Sequence, residues 1–182
     1  RDRDVTGVQT CALPIYNRWT PISNLSARDV INQLKHEWHG QINLDNLIEL
    51  SVGNSSLSLI YKCRYQFLKK QLLSINLEIG HLHGTEVLTA YLRFSNSDDL
   101  EIPHSYYSQL AEIIGWVSGM SLNKNSLEFL DWNYDGNPQF YIHDKNAFSQ
   151  MKALKRLLLK ETENKSWPWI KQNNYFIIKL SS

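Results

Sequence analysis

Apolar residues recur every three to four positions in four segments of the chain, a spacing that predicts α-helices. In the first segment, residues 24–39, Ser26 is placed to cap the amino end and Gly40 to end the helix. The other three helices are predicted at residues 57–74, 106–120 and 146–163. Residues 106–120 are apolar almost all round, Trp116 included, so we expect this helix to be central in the core.

Shorter segments rich in β-branched and aromatic residues predict strands. The strongest is residues 86–94, EVLTAYLRF, which the polar loop SNSDD follows. Further strands are predicted at residues 47–52, 127–132, 139–143 and 175–180. The turn signal Asp135-Gly136-Asn137 joins two of them into a β-hairpin. Strands interleaved with helices, without an internal repeat, predict one α+β domain built on an antiparallel sheet with flanking helices.

The first fifteen residues, RDRDVTGVQTCALPI, resemble a translated sequencing adapter. Residues 5–15 back-translate, codon by codon, into a standard indexed-adapter primer. Segments of this kind are set aside before a fold is inferred, so we expect residues 1–15 to pack poorly and to carry no function. The chain is then a read from a sequenced, metagenomic library. We expect the natural protein to begin near Tyr16 with its true start missing, and the domain to cover residues 16–182.

Composition narrows the function only slightly. The formal net charge is +1, and the adapter segment leaves it unchanged because it holds two arginines and two aspartates. A near-neutral balance argues neither for nor against nucleic acid. With Cys11 in the adapter, Cys63 has no partner for a disulfide, and a cytoplasmic protein is expected. No apolar run has the roughly 18 residues that a membrane helix needs, so no membrane partner is predicted.

The tripeptide His81-Leu82-His83 is the most suggestive short motif for chemistry. If it is extended, both imidazoles lie on one face of a strand and can bind one divalent ion, with Glu78 or Glu86 as a third ligand. Two histidines around one apolar residue are typical of HUH nucleases, in which the metal polarises a DNA phosphate for attack by a tyrosine. Glycines flank the tripeptide on both sides, which fits a solvated turn equally well.

Two groups of basic residues are candidates for contact with nucleic acid. One forms a stripe at helical spacing opposite an apolar face and consists of Lys152, Lys155, Arg156 and Lys160. The other mixes basic and aromatic side chains in the predicted helix 57–74 and consists of Lys62, Lys69 and Lys70 near Tyr61 and Tyr65. Either group can be an ordinary solvated face. The alternative is contact with phosphates, which is electrostatic and strongly salt-dependent.

Three segments in the second half of the chain carry a family resemblance. The segment GWVSGMSL looks like a helix end in which a Trp precedes small residues and Ser. The segment FYIHDKNAF looks like a Tyr-containing strand that enters a Phe-bearing helix, and the segment LLLKETENK looks like the tail of that helix. In this order they resemble the inovirus-type replication initiator family, the YagK/YfjJ C-terminal domain. The resemblance covers the last third of the chain well. It implies an HUH/ferredoxin-like fold, Mg²⁺ or Mn²⁺ at a histidine pair, and a helix tyrosine that nicks DNA and stays attached.

The position that should carry the nucleophilic tyrosine, three before Lys160, is Leu157, and leucine cannot attack a phosphate. Tyr141 or Tyr175 would have to replace it. We therefore predict a DNA-binding protein that resembles a phage or mobile-element rolling-circle initiator and has a degenerate nicking site. Its DNA would be single-stranded or an origin hairpin. The alternatives are an active metal-dependent HUH endonuclease and a non-enzymatic interaction or regulatory protein.

Overall fold

The strands of the protein form one antiparallel sheet, which the computed structural model describes within residues 25–180. Residues 1–15 and Tyr16 lie outside the described residues, so the expectations about the adapter and the natural start are not addressed by the structure. The sheet has eight strands, and three α-helices accompany it in the described part of the chain. The predicted α+β class with an antiparallel sheet is thereby confirmed.

The elements follow one another as α1 (Ala27–Glu37), β1 (Leu47–Gly53), β2 (Ser56–Phe67), β3 (Lys70–Leu82), β4 (Thr85–Phe94), α2 (Tyr107–Ser118), β5 (Leu127–Trp132), β6 (Pro138–Ile142), α3 (Lys145–Glu161), β7 (Ile170–Gln172) and β8 (Tyr175–Lys179). Across the sheet the order is β5-β6-β4-β3-β2-β1-β8-β7. Strands β1 to β4 therefore lie side by side as a meander, and later strands extend the sheet at both edges. No helix within residues 25–180 has the length and apolarity to cross a membrane.

Local side-chain chemistry explains where the helices begin and end. Ser26 caps α1 as predicted, because its hydroxyl accepts the Asp29 amide at 3.1 Å and the Asp29 carboxylate bonds back to Ser26. The carboxylate of Asp144 caps α3 by accepting a hydrogen bond from the Ala147 amide at 2.8 Å. Helix α2 ends at Gly119, whose φ of 80° is left-handed. A Cβ there would lie 2.3 Å from the Gln41 carbonyl, so only glycine fits.

The core lies on one face of the sheet. Five paired positions on β1, β2, β3, β4 and β6 form a row that is 0% exposed: Leu50, Leu59, Leu77, Ala90 and Phe140. Helices α2 and α3 contact the central strands and complete a single hydrophobic cluster with α1. The neighbouring row, which points to the other face, is only half-buried and mostly polar: Glu49, Ile60, Asn76, Tyr91 and Gln139.

The helix predicted at residues 57–74 is wrong, because this segment forms β2 and the start of β3. Leu57, Leu59 and Tyr61 are buried at a spacing of two, which is strand periodicity. The hairpin turn between the strands is Leu68-Lys69, and both residues adopt positive φ, 52° and 64°. Such turns normally use Asn or Gly, so this sequence lacks the usual turn signal.

Candidate nucleic-acid interface

A groove lies where β2 continues beyond the start of its neighbour β1. The β1–β2 pairing reaches Leu47 and Tyr61, and the Lys62 amide then donates to the Asn46 carbonyl at 2.9 Å. Past this point β2 and β3 continue as a hairpin beside β4. The groove encloses about 790 Å³ and is lined by Asn46, Ile48, Lys62, Cys63, Arg64, Tyr65, Leu73, Ser74, Arg93 and Val117. We call it the basic groove.

Three cations give the basic groove its charge. Lys62 and Arg64 come from β2, and Arg93 comes from β4. The register brings Lys62 and Arg93 together, since both pair with Ser74 on β3, and Arg64 lies in the irregular stretch of β2 that follows Lys62. All three side chains are exposed, and among residues 25–180 no carboxylate lines the groove. Within residues 25–180 none of the three forms an ion pair. The groove is therefore suited to an anion with several charges.

The thiol of Cys63 also lines the groove but is not reactive in it. Its sulfur lies 3.8 Å from the Leu72 carbonyl oxygen, at hydrogen-bond distance for a thiol. Burial raises the pKa of the Cys63 thiol to about 11, so the sulfur stays protonated at neutral pH. Because the thiolate is the nucleophilic form, Cys63 contributes a neutral surface rather than covalent chemistry.

Two aromatic rings adjoin the basic groove. Tyr65 lines it, and its ring centroid lies 6.1 Å from that of Trp116 on α2. The helix predicted at residues 106–120 does pack in the core, but Trp116, counted among its apolar residues, is 59% exposed. The next residue, Val117, is 2% exposed and lines the groove from the helix side. Helix α2 thus buries its apolar face and presents Trp116 outward against Tyr65.

The other basic residues predicted near β2 lie at its hairpin turn. Lys69 is exposed in the turn itself. The Lys70 ammonium donates to the Asn96 carbonyl at 2.5 Å, which ties the turn to the loop after β4. Neither side chain lines the basic groove with Lys62. Tyr61, predicted with them, is fully buried and donates its hydroxyl to the Asn43 carbonyl at 2.6 Å.

The four basic residues of α3 do not form one exposed stripe. Lys155 is 6% exposed, and its ammonium donates to the Asn54 carbonyl at 2.9 Å, below the β1–β2 turn. Lys152 makes two hydrogen bonds to the Glu86 carboxylate. Arg156 and Lys160 are exposed. The predicted stripe is corrected accordingly, because the sheet lies against the side of α3 that carries Lys152 and Lys155.

The two histidines of the suggestive motif lie at different kinds of position. His81 belongs to β3, whereas His83 is in the two-residue β3–β4 turn with φ 52°, followed by Gly84 with φ 81°. Strand alternation ends at Leu82, so it does not bring both imidazoles to one face as an extended tripeptide would. Glu78 lies three residues before His81 and hence on the opposite face of β3.

Glu86 pairs across the strands with His81 but is engaged by lysines. The Lys152 ammonium lies 2.7 and 2.9 Å from its two oxygens, and that of Lys155 lies 3.7 Å away. The hydrogen bonds from Lys152, together with these positive charges, lower the pKa of Glu86. Within residues 25–180 no three His, Cys, Asp or Glu side chains are placed to hold a metal. Binding of Mg²⁺ or Mn²⁺ at His81 and His83 stays a prediction.

The tyrosines considered as nucleophiles are separated from these histidines. Tyr141 stacks on His143 with ring centroids 4.6 Å apart, in a cleft of about 650 Å³ that neither His81 nor His83 lines. Tyr175 begins β8 and pairs with Gly53. Leu157, at the position of the expected tyrosine, packs against the core. The cleft that holds Tyr141 is thus lined by His143 and by neither histidine of the suggestive motif.

Two groove residues were missed from the sequence, Arg64 and Arg93. Arg64 falls within residues 57–74, which are predicted as a helix, and Arg93 lies in a strand whose cross-strand neighbours the sequence does not predict. A spacing of two between Lys62 and Arg64 was the available signal, because it is the spacing of one strand face. Comparison of the chain with protein-family models, curated proteins and solved structures gave no match in any of the three.

Proposed function

We propose that the protein binds DNA through its phosphate backbone, with Lys62, Arg64 and Arg93 as the contacting cations. The observation that carries the proposal is the basic groove itself, with three exposed cations from β2 and β4 and no lining carboxylate from the described part of the chain. Guanidinium groups bind phosphate in a two-pronged geometry, and the ammonium adds a point charge. Contacts of this kind position a protein on DNA without reading its sequence.

The resemblance to inovirus-type replication initiators supports DNA as the ligand. We propose that the protein is a cytoplasmic, initiator-related DNA-binding protein of phage or mobile-element origin that has lost strand cleavage. Two observations favour binding over cleavage. Leu157 stands where the family has its tyrosine, and Glu86, the carboxylate beside His81, is occupied by Lys152 and Lys155.

The test is a salt titration of DNA binding by fluorescence anisotropy with a labelled oligonucleotide. Three neutralised phosphates on a single strand give a slope of log affinity against log salt of about −2. Affinity should therefore fall about 20-fold between roughly 50 and 200 mM salt. A triple variant, Lys62→Gln, Arg64→Gln and Arg93→Gln, should flatten this slope towards zero.

A matched control removes three exposed lysines that do not line the groove: Lys124→Gln, Lys145→Gln and Lys165→Gln. It changes the net charge by the same amount and should keep most of the slope. A third variant, Arg156→Gln with Lys160→Gln, tests the exposed part of α3. Equal loss in the groove and control variants would mean that binding follows net charge only, and loss confined to the α3 variant would move the interface there. Either result would refute the proposal.

A further inference from the structure

Strand β5 forms one edge of the sheet and is open along its outer side. It pairs with β6, and no other strand of residues 25–180 lies beside it. The Ser126 carbonyl accepts the His143 amide at 2.7 Å, so backbone groups that point towards β6 and away from it alternate from this residue on. The carbonyl of Leu127 and both backbone groups of Phe129 therefore point away from β6. Such an edge is a template for one further strand.

A small aromatic pocket lies beside the same edge. It encloses about 320 Å³ and is lined by Glu101, Ile102, His104, Tyr107, Phe129 and Trp132. Phe129 pairs with the buried Phe140, which places the pocket on the core side of the sheet. The rings of Phe129 and Trp132 lie 4.7 Å apart, and the Trp132 indole donates to the Leu100 carbonyl at 3.0 Å, which fixes its position. The exposed Glu101 adds a carboxylate to this aromatic surface.

The surroundings of the β5 edge are acidic. The loop after β4 packs on the β5–β6 turn, because the Ser97 hydroxyl donates to the Asp135 carbonyl at 2.9 Å. A Cβ on Gly136 in this turn would lie 2.6 Å from the Asp99 nitrogen, which shows how closely the two segments approach. Five carboxylates are exposed on the loop, the strand and the turn, and none forms an ion pair within residues 25–180: Asp98, Asp99, Glu101, Asp131 and Asp135. A partner at this edge therefore meets negative charge.

This charge distinguishes between two occupants of a free strand edge, a second copy of the chain and a peptide of another protein. Two copies joined through β5 would bring Glu128 and Asp131 of one copy near the same carboxylates of the other, which is unfavourable. The register also shifts between Phe129 and Asp131, and such a bulge bends the strand and limits the pairing of one sheet edge with another. A short basic peptide meets neither obstacle.

We propose that the β5 edge binds an extended basic peptide, which adds a further antiparallel strand and inserts an arginine or lysine side chain into the aromatic pocket. The peptide residue opposite Phe129 points to the same face of the sheet as Phe129, so its side chain enters the pocket. There the cation lies on the ring faces and pairs with Glu101. The neighbouring peptide residues point to the other face, where Asp131 lies opposite Gln139. This site is separate from the basic groove and does not depend on DNA binding.

The test is fluorescence anisotropy of the full chain with a labelled peptide of alternating arginine and valine, about six residues long. In an antiparallel pair the residue opposite Phe129 directs its own amide towards β5. N-methylation of the arginine amides should therefore weaken binding about tenfold or more, because it removes these donors and keeps the charge. N-methylation of the valine amides, which point away from β5, is the matched control and should leave the affinity within about threefold. A peptide of alternating glutamate and valine should not bind.

Variants of the protein test the pocket and its charge. Glu101→Gln with Asp131→Asn should weaken binding of the arginine peptide about fivefold or more. The matched control, Glu112→Gln with Glu163→Gln, removes two exposed carboxylates that lie elsewhere and should change the affinity by less than about twofold. Phe129→Leu keeps an apolar side chain but removes a ring, and it should weaken binding about two- to fivefold.

Four results would overturn the proposal. The first is the absence of binding to the arginine peptide. The second is equal binding of the two N-methylated peptides, since no strand would then be added. The third is equal loss in the two carboxylate variants, which would mean that the peptide follows net charge only. The fourth is a wild-type dimer, seen by sedimentation velocity, that excludes the peptide and so assigns the edge to a second copy. The groove variant should still bind the peptide, so failure of the proposed DNA binding would leave this proposal standing.

Discussion

The ion pair between Lys152 and Glu86 should stabilise the fold rather than serve a ligand. It joins α3 to β4 through two hydrogen bonds, 2.7 and 2.9 Å long. Exposed pairs contribute about 0.2 to 1 kcal/mol, and hydrogen bonds to charged groups up to about 3 kcal/mol. Because the two side chains are 27% and 29% exposed, we expect a coupling free energy of about 1 kcal/mol.

A double-mutant cycle at pH 7 measures this coupling, with Lys152→Met, Glu86→Gln and the double variant unfolded in urea. Glu86→Gln should be the more destabilising single change, because Lys155 loses a partner as well. Arg156→Gln, one turn further on the exposed side of α3, is the control and should stay within about 0.5 kcal/mol of wild type. A coupling energy indistinguishable from zero would refute the view that Lys152 is a structural residue.

The same pair sets a pH dependence with a definite sign. The folded-state pKa of Glu86 is lowered, so its contribution is fully present above the unfolded value of about 4.3. It is lost as the pH falls through the folded pKa, where the carboxyl becomes protonated and neutral. The stability difference between wild type and Glu86→Gln should therefore shrink below about pH 4.3. A difference that stays unchanged as the pH falls from about 4.3 through the folded pKa would contradict the assignment.

Three further changes test the fold. Burial raises the pKa of Glu78, so Glu78→Gln should raise the melting temperature at pH 7, and this gain should disappear below about pH 4.3. A fall in the melting temperature at pH 7 would contradict this expectation. Tyr61→Phe removes the hydroxyl bond to Asn43 and should cost about 1 to 2 kcal/mol in urea unfolding, with an unchanged value arguing against that bond. Leu77→Ala opens a cavity in the central strand and should cost about 2 to 5 kcal/mol by the same measurement.

The elements that could be predicted were those with local signals. Helices α1, α2 and α3 and strands β1, β4, β5, β6 and β8 all follow from apolar spacing or β-rich composition, with caps such as Ser26 and a turn at Gly136. The β2–β3 hairpin was missed because its turn, Leu68-Lys69, has no turn residue. With the turn hidden, Leu59, Ile60, Cys63 and Phe67 also fit helical spacing. The left-handed backbone there is held by the paired strands on both sides rather than by its own sequence.

In the candidate site, too, one residue could be recognised from the sequence and the others only from the structure. Lys62 was recognised as a basic residue near aromatic rings, but on a helix and in the company of Lys69 and Lys70. Its actual neighbours, Arg64 and Arg93, depend on the β2–β3–β4 register. Register is set by which face of each strand is buried and not by any short motif. The sequence therefore named one member of the basic groove and could not assemble the other two.

By itself, the sequence determined the α+β class, the antiparallel hairpin and most helix boundaries, because these depend on patterns within about a dozen neighbouring residues. Only the tertiary structure decided which charged residues of α3 are exposed and which are buried or paired. Lys152, Lys155, Arg156 and Lys160 look alike in sequence, yet the sheet packed against α3 buries Lys155 and pairs Lys152 with Glu86. The same packing leaves Trp116 exposed, and the strand register brings Lys62 and Arg93 together across Ser74. Exposure and pairing depend on residues distant in sequence, so they follow only from the folded arrangement.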